Sequence, residues 1–356
     1  MYKVARKSED LLRISSVTVT ATLLAICLLA LAKTTHTAQA ASFPQNGKIA
    51  FQSSDMIYTV EPDGSNLREL THGLYPSWSP DGTEIVFQGS VHEISVMSAN
   101  GSDIRRILHE ADKRIGGYLP TWSADGTSVA FSDTRLVKKG QARYSVNDIF
   151  MLGLDDSEQT NLTKTPRLDE WNTDFSPDGS QICFTRSNPW VAEPKHPSGL
   201  YVMDVHGSDP AVLLKENASG TCDWSPDGKK IVFSAGDEVY IINADGSGRT
   251  ALTSNSATDA KPTTDANPAW SPDGTKIVFT SSRDGGGFDI YTMDADGSDI
   301  AQVTNARVDV DRADWQPLPG TTVHQPDTGG PSLLLIASAL LISGGVMFYA
   351  GLKRSM

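Results

Sequence analysis

The string Trp78-Ser79-Pro80-Asp81-Gly82 recurs along the chain. It returns as Trp122-Ser123-Ala124-Asp125-Gly126, Phe175-Ser176-Pro177-Asp178-Gly179, Trp224-Ser225-Pro226-Asp227-Gly228 and Trp270-Ser271-Pro272-Asp273-Gly274. The copies are 44, 53, 49 and 46 residues apart, and Trp315 follows 45 residues after Trp270 without the turn. Self-similarity at such a period marks stacked or radial repeats, whose units cannot bury an apolar face alone. Each turn is followed by an alternating apolar segment such as Ile85-Val86-Phe87 or Ile231-Val232-Phe233, and an extra copy, Ile49-Ala50-Phe51, precedes the first turn. Further strands end in patterns such as Asp289-Ile290-Tyr291, then a tight Asp-Gly turn, then Leu-Thr as in Leu252-Thr253. Asp and Gly suit tight hairpin turns because they tolerate positive φ. The alternating carboxylates and terminal Glu of a helix-loop-helix calcium loop are absent.

Four short strands per unit predict an all-β, six-bladed β-propeller over residues 47–318. Six first-strand aromatics (Trp78, Trp122, Phe175, Trp224, Trp270, Trp315) and six second strands are present, so the chain enters a blade at its second strand and ends on its first. Both termini then complete one blade and close the ring, removing open edges. The motif Trp residues are expected to pack between blades. The residues Trp-Ser-Pro-Asp-Gly, Asp-Ile-Tyr, Asp-Gly-Ser and Leu-Thr resemble the TolB-like β-propeller repeat over about three quarters of the chain. The Gly-His and Trp-Asp signature of WD repeats is missing. The resemblance implies the fold and leaves the function open, since this fold serves both binding modules and enzymes.

The ends predict export and tethering. Basic residues Lys3, Arg6, Lys7 and Arg13 precede an uncharged run from Ser15 to Ala32 and the small-residue pattern Ala38-Gln39-Ala40. This layout predicts a signal peptide over residues 1–40, cleaved between Ala40 and Ala41, with an uncleaved anchor as the alternative. A lead-in covers residues 41–46. Residues 332–352 carry no charge and are long enough to span a bilayer; the basic tail 353–356, with Lys353 and Arg354, marks the cytoplasmic side. Within the Pro/Gly linker 319–331, Gln325-Pro326-Asp327-Thr328-Gly329 resembles an LPXTG-type sorting signal of Gram-positive surface proteins. The resemblance implies that a sortase attacks the Thr328 carbonyl, expels Gly329 and passes the acyl group to a cell-wall amine; Pro326 is the matching proline. A permanent single span is the alternative.

Formal charge is −13 over 356 residues. Without leader and tail the exported body carries about −18, which argues against a nucleic-acid partner. Cys183 and Cys222 are the cysteines left in that body, with a disulfide between neighbouring blades as one option and buried apolar filler as the other. No Gly-x-Ser-x-Gly elbow or His-x-x-x-His pair occurs.

Length variation concentrates in connections predicted to share one face: Ser132–Asn147, Lys164–Asp174 and Thr185–Ser198, with a polar loop at Ser254–Asn267. These segments hold candidate ligand contacts Arg135, Lys138, Lys139, Arg143, Tyr144, Arg167, Trp171, Arg186, Trp190, Lys195 and His196. Trp beside Arg and Lys suits sugar rings, anionic polymers or carboxylate-bearing peptides; the competing reading is that the aromatics anchor long loops to the disc. A second candidate is the residue before the motif aromatic, Asp174, Asp223 and Asp314 in three repeats. These carboxylates are placed to hold a divalent cation or water in the channel, or to bond neighbouring backbone. No cofactor is otherwise expected. The leading expectation is a non-enzymatic cell-surface binding or scaffold module whose ligand is an extracellular polymer, glycan or protein. The alternative is an extracellular propeller enzyme, a lyase or hydrolase on polysaccharide or another polymer, acting at the channel mouth.

Overall fold

The computed structural model describes residues 44–319, apart from 90–92, 110–115, 140–141, 156–157, 166–167, 189–196, 209, 216–217, 255–262, 286 and 306–309. The expected signal peptide with its Ala40–Ala41 cleavage point, the sorting motif and the 332–352 span lie outside the described residues. Among the described residues no helix is long and apolar enough to cross a membrane.

Six four-stranded antiparallel sheets make up the described chain. Strands β1–β3 (Gln45–Ser53, Met56–Val60, Arg68–His72) belong to the first blade, and β4–β7 (Leu74–Trp78, Glu84–Gln88, Glu93–Ser98, Arg105–His109) form the second. The third holds β8–β11 (Gly116–Trp122, Ser128–Lys139, Ala142–Gly153, Gln159–Asn161) and the fourth β12–β15 (Asp169–Phe175, Gln181–Ser187, Gly199–Asp204, Ala211–Leu214). The fifth holds β16–β19 (Ala218–Trp224, Lys230–Ala235, Glu238–Asn243, Thr250–Ala251) and the sixth β20–β23 (Asp265–Trp270, Lys276–Ser281, Asp289–Asp294, Ala301–Gln302). The last strand, β24 (Val310–Leu318), returns to the first blade and pairs with β1, Ile49 opposite Trp315 and Ala50 opposite Asp314. First strands touch in cyclic order, β4 on β8, β8 on β12, β12 on β16, β16 on β20, β20 on β24 and β24 on β4. The closure read from the motif count is therefore the observed one.

Local chemistry explains the turns. In the first full repeat the Ser79 hydroxyl donates to Asp81 at 2.6 Å and accepts the Glu84 N–H at 2.9 Å, while Asp81 also takes the Thr83 N–H at 3.0 Å. The same Ser-to-Asp bond recurs at Ser123, Ser176, Ser225 and Ser271. Gly82 has φ +69°, and a Cβ there would sit 1.9 Å from the Pro317 carbonyl oxygen, so glycine is required where the second blade meets the first.

The core is divided among the blade interfaces. Six apolar clusters each join one blade to the next and contain the later blade's motif aromatic. Trp122, for example, lies with Val86, Ile94 and Val96 of the second blade, and Trp270 with Val232, Val239 and Ile241 of the fifth. All six aromatics are at most 8% exposed. Burying such large side chains is the main favourable contribution to each interface. A disulfide, Cys183–Cys222, joins the second strand of the fourth blade to the first strand of the fifth.

Candidate functional site

First strands border the axis, and the repeat register stacks their side chains in rings around a cavity of about 410 Å³. One end is ringed by Pro80, Ala124, Pro177, Pro226, Pro272 and Pro317, each two residues after its motif aromatic. The middle holds Ser77, Thr121, Asp174, Asp223, Ala269 and Asp314, each one residue before it. The other end holds Tyr75, Leu119, Asn172, Thr221, Asn267 and Arg312, three residues before it.

This last ring is built by bulges. Every first strand loses register against its second strand across that position. Five of the six residues are left-handed without being glycine: Tyr75 (φ 54°), Leu119 (61°), Asn172 (59°), Asn267 (50°) and Arg312 (43°). A bulge re-aims a side chain, and a non-glycine residue in this region costs roughly 1–3 kcal/mol, so the ring is bought with stored strain. The Arg312 guanidinium reaches from the first blade to the fourth, where it donates to Asn172 Oδ1. It also lies over the Tyr75 ring, 5.3 Å from the centroid. Asn172 is held by its own Nδ2, which donates to the Gly220 carbonyl at 2.9 Å and to Thr185 Oγ1 at 3.1 Å. Burial lowers the Arg312 pKa to about 10, against the opposing charge of Asp311.

The middle-ring carboxylates are latches. Asp314 accepts the Trp78 N–H at 2.6 Å, Asp174 the Trp224 N–H at 2.8 Å and Asp223 the Trp270 N–H at 2.6 Å, each from the next blade. Burial pushes Asp174 up to about 7 and Asp314 to about 6, and burial together with Asp174 pushes Asp223 well above the usual carboxylate range. Among the described residues no group of three or more His, Cys, Asp or Glu side chains is placed to hold a metal ion.

A second cavity, about 380 Å³, opens beside the channel mouth. It is lined by Tyr75, Leu119 and Trp171 and by the polar side chains of Ser132, Thr134, Ser145 and Asn147. Tyr75 and Leu119 line both cavities, which therefore adjoin, with Trp171 lining the second.

Residues 189–325 match the family described as the TolB beta propeller domain. The fold is a TolB-like six-bladed β-propeller. TolB from Acinetobacter baumannii superposes with a TM-score of 0.60 at 20% identity, over 76% of this chain and 67% of that one. A putative TolB from Agrobacterium tumefaciens gives 0.54 at 19% identity, over 77% and 99%. A chain of a nidogen/laminin complex gives 0.58 at 11%, over 76% and 98%. At these identities the likeness is one of fold. No curated protein sequence matches the chain.

In this TolB-like propeller the sequence-predicted contacts separate into groups. The Ser132–Asn147 insertion is not a loop: β9 and β10 continue as a paired hairpin, with Ala142 opposite Lys139. Thr134, Val137, Tyr144 and Val146 favour extended pairing. Arg135 is an anchor within it, bonding the fully buried Asp148 at 2.5 Å and the Thr165 carbonyl at 2.7 Å. Arg186 is likewise not offered to a ligand. It is 4% exposed, donates to Glu170 at 3.0 Å and stacks 4.3 Å from the Tyr201 centroid. Burial still pushes Glu170 up to about 7, outweighing Arg186. Lys138 is exposed and Tyr144 half-buried, while Lys139 and Arg143 are placed on the hairpin by register alone. Trp171 is half-buried and lines the second cavity. Arg167, Trp190, Lys195 and His196 lie outside the described residues. Sequence reasoning missed Tyr75, Asn172 and Arg312; the signal was the variation three residues before each motif aromatic, which reads as noise until the bulge is seen.

Proposed function

We propose that this chain is a non-enzymatic recognition propeller that takes its ligand in the cleft between the channel mouth and Trp171. The observation that carries this reading is the sharing of Tyr75 and Leu119 by the two cavities. It gives a preformed concave site with an aromatic floor and a few convergent polar groups, the usual form of a ligand site. The strain at Tyr75 and Leu119 supports it, since such strain gathers where side chains must be held in place for a task.

The module is displayed outside the cell, exported by its leader and tethered through the 332–352 span or, after sortase cleavage at Thr328, to the wall. The Cys183–Cys222 disulfide supports the extracellular placement, because such bonds persist in oxidising compartments.

The test pairs melting temperature with binding for Trp171→Ala, against wall polymers, glycans and peptides. Loss of binding by about 1–3 kcal/mol with a small change in melting temperature is the expected result. Unchanged binding with a large loss of stability would make Trp171 a loop anchor and remove the reading.

A further inference from the structure

Among the described residues, Arg312 is the basic side chain that lines the axial cavity. Arg135 and Arg186 are consumed by buried carboxylates, whereas the guanidinium of Arg312 meets an amide oxygen and an aromatic face. No carboxylate among the described residues forms an ion pair with it. Asp311, its charged neighbour in sequence, accepts the Asn267 Nδ2–H and the Arg312 backbone N–H instead. A guanidinium has five N–H donors in a planar fork, so one amide acceptor leaves most of that capacity unused.

Its position adds a geometric constraint. The first and fourth blades face each other across a six-membered ring, so the Arg312–Asn172 bond crosses the axis. A polymer cannot pass straight through the channel without breaking this bar, but a chain end arriving along the cleft meets the guanidinium head-on. The surrounding wall is mixed, apolar at Pro76, Leu119 and Pro120 and polar at Asn172, Thr221 and Asn267. Such a wall matches an extended peptide, whose apolar side chains pack on the prolines while its backbone N–H and C=O groups meet the amides and hydroxyl.

We propose that the channel mouth is a receptor for the C-terminal carboxylate of an extended, apolar peptide, with the Arg312 guanidinium as the anion-recognising group. This rests on the cleft being the binding site. Asn172, fixed through Gly220 and Thr185, holds the guanidinium at the axis, and Tyr75 supports its flat face. The carboxylates one ring deeper are turned to backbone N–H groups of the next blades.

The experiment titrates the full-length protein, in detergent, with N-acetylated pentapeptides ending in Ala, Val or Leu, with the same peptides as C-terminal amides, and with a short oligouronide. Free-acid peptides are expected to bind at least tenfold more tightly than their amides, acetate to compete, and Arg312→Gln to bring acid and amide to the same affinity. Comparing acid with amide on the unaltered protein keeps the test independent of how the variant folds. Equal binding of acid and amide would overturn the role of Arg312 while leaving the cleft reading intact if Trp171→Ala weakens both. Binding of the oligouronide in place of the peptides would overturn the peptide class. Binding of none of the three would overturn the proposal itself.

Discussion

The Asp314 carboxylate closes the ring from the inside: one oxygen accepts the Trp78 N–H of the second blade at 2.6 Å and the other the Trp315 N–H of its own strand at 2.8 Å. Asp174 and Asp223 repeat the inter-blade half of this arrangement at two adjacent seams, between the fourth and fifth blades and between the fifth and sixth. These bonds tie the first strand of one blade to the next at the level of the motif aromatic.

Replacing Asp314 with Ala leaves the Trp78 N–H buried without its acceptor. The expected loss is roughly 1–3 kcal/mol, read from denaturant unfolding. Asp314→Asn keeps an acceptor oxygen and should lose less. Equal stability of all three proteins would show that the latch contributes nothing to closure.

Stability should fall on both sides of a mildly acidic optimum. Asp174, Glu170 and Asp314 have folded-state pKa values raised to about 7, about 7 and about 6. The folded state therefore holds protons that the unfolded chain has released, and its advantage is lost as pH rises from about 4 towards 7. The turn carboxylates work in the opposite sense. Hydrogen bonds from Ser176 and Ser180 hold Asp178 down to about 2, and Ser79 leads the causes that lower Asp81. Their contribution is present above about 4 and lost as pH falls below it. Melting temperature measured between pH 2 and 8, about the span of these titrations, should peak near pH 4–5, and Asp314→Asn should flatten the alkaline limb. A curve rising steadily to neutral pH would contradict this assignment.

Reducing the Cys183–Cys222 bond reopens a 39-residue separation in the unfolded chain. The chain-entropy account puts the loss at about 4 kcal/mol. A Cys183→Ala, Cys222→Ala double variant should melt lower than the oxidised protein, and the gap should close in reductant. Insensitivity of the wild type to reductant, with free thiols detected by mass, would show that the bond does not form.

If Thr328 is the acyl donor, wall-degrading enzymes should release the protein carrying a wall fragment at that residue. Thr328→Ala should leave it detergent-soluble and membrane-bound. Recovery of the unaltered protein from detergent with Lys353 and Arg354 still attached would make residues 332–352 a permanent span.

The blade count, the turns and the interleaved core were legible in the sequence because each depends on short-range chemistry. Ser79 and Asp81 bond within their own turn, and the Ile85-Val86-Phe87 alternation follows from the two-residue period of a strand. Closure followed as well, since the leftover second strand at Ile49–Phe51 had Trp315 as its remaining partner. The character of the loop face was not legible. Arg135 and Arg186 read as free cations along the chain, and only packing brought Asp148 and Glu170 against them in low dielectric, where an unpaired charge is too costly to keep. Arg312 and Asn172 are 140 residues apart and meet because six blades close on one axis. Sequence alone determined how many blades this chain makes and how it seals them. Tertiary structure decided which charges remain available at the centre, because that depends on what the closed ring places opposite each side chain.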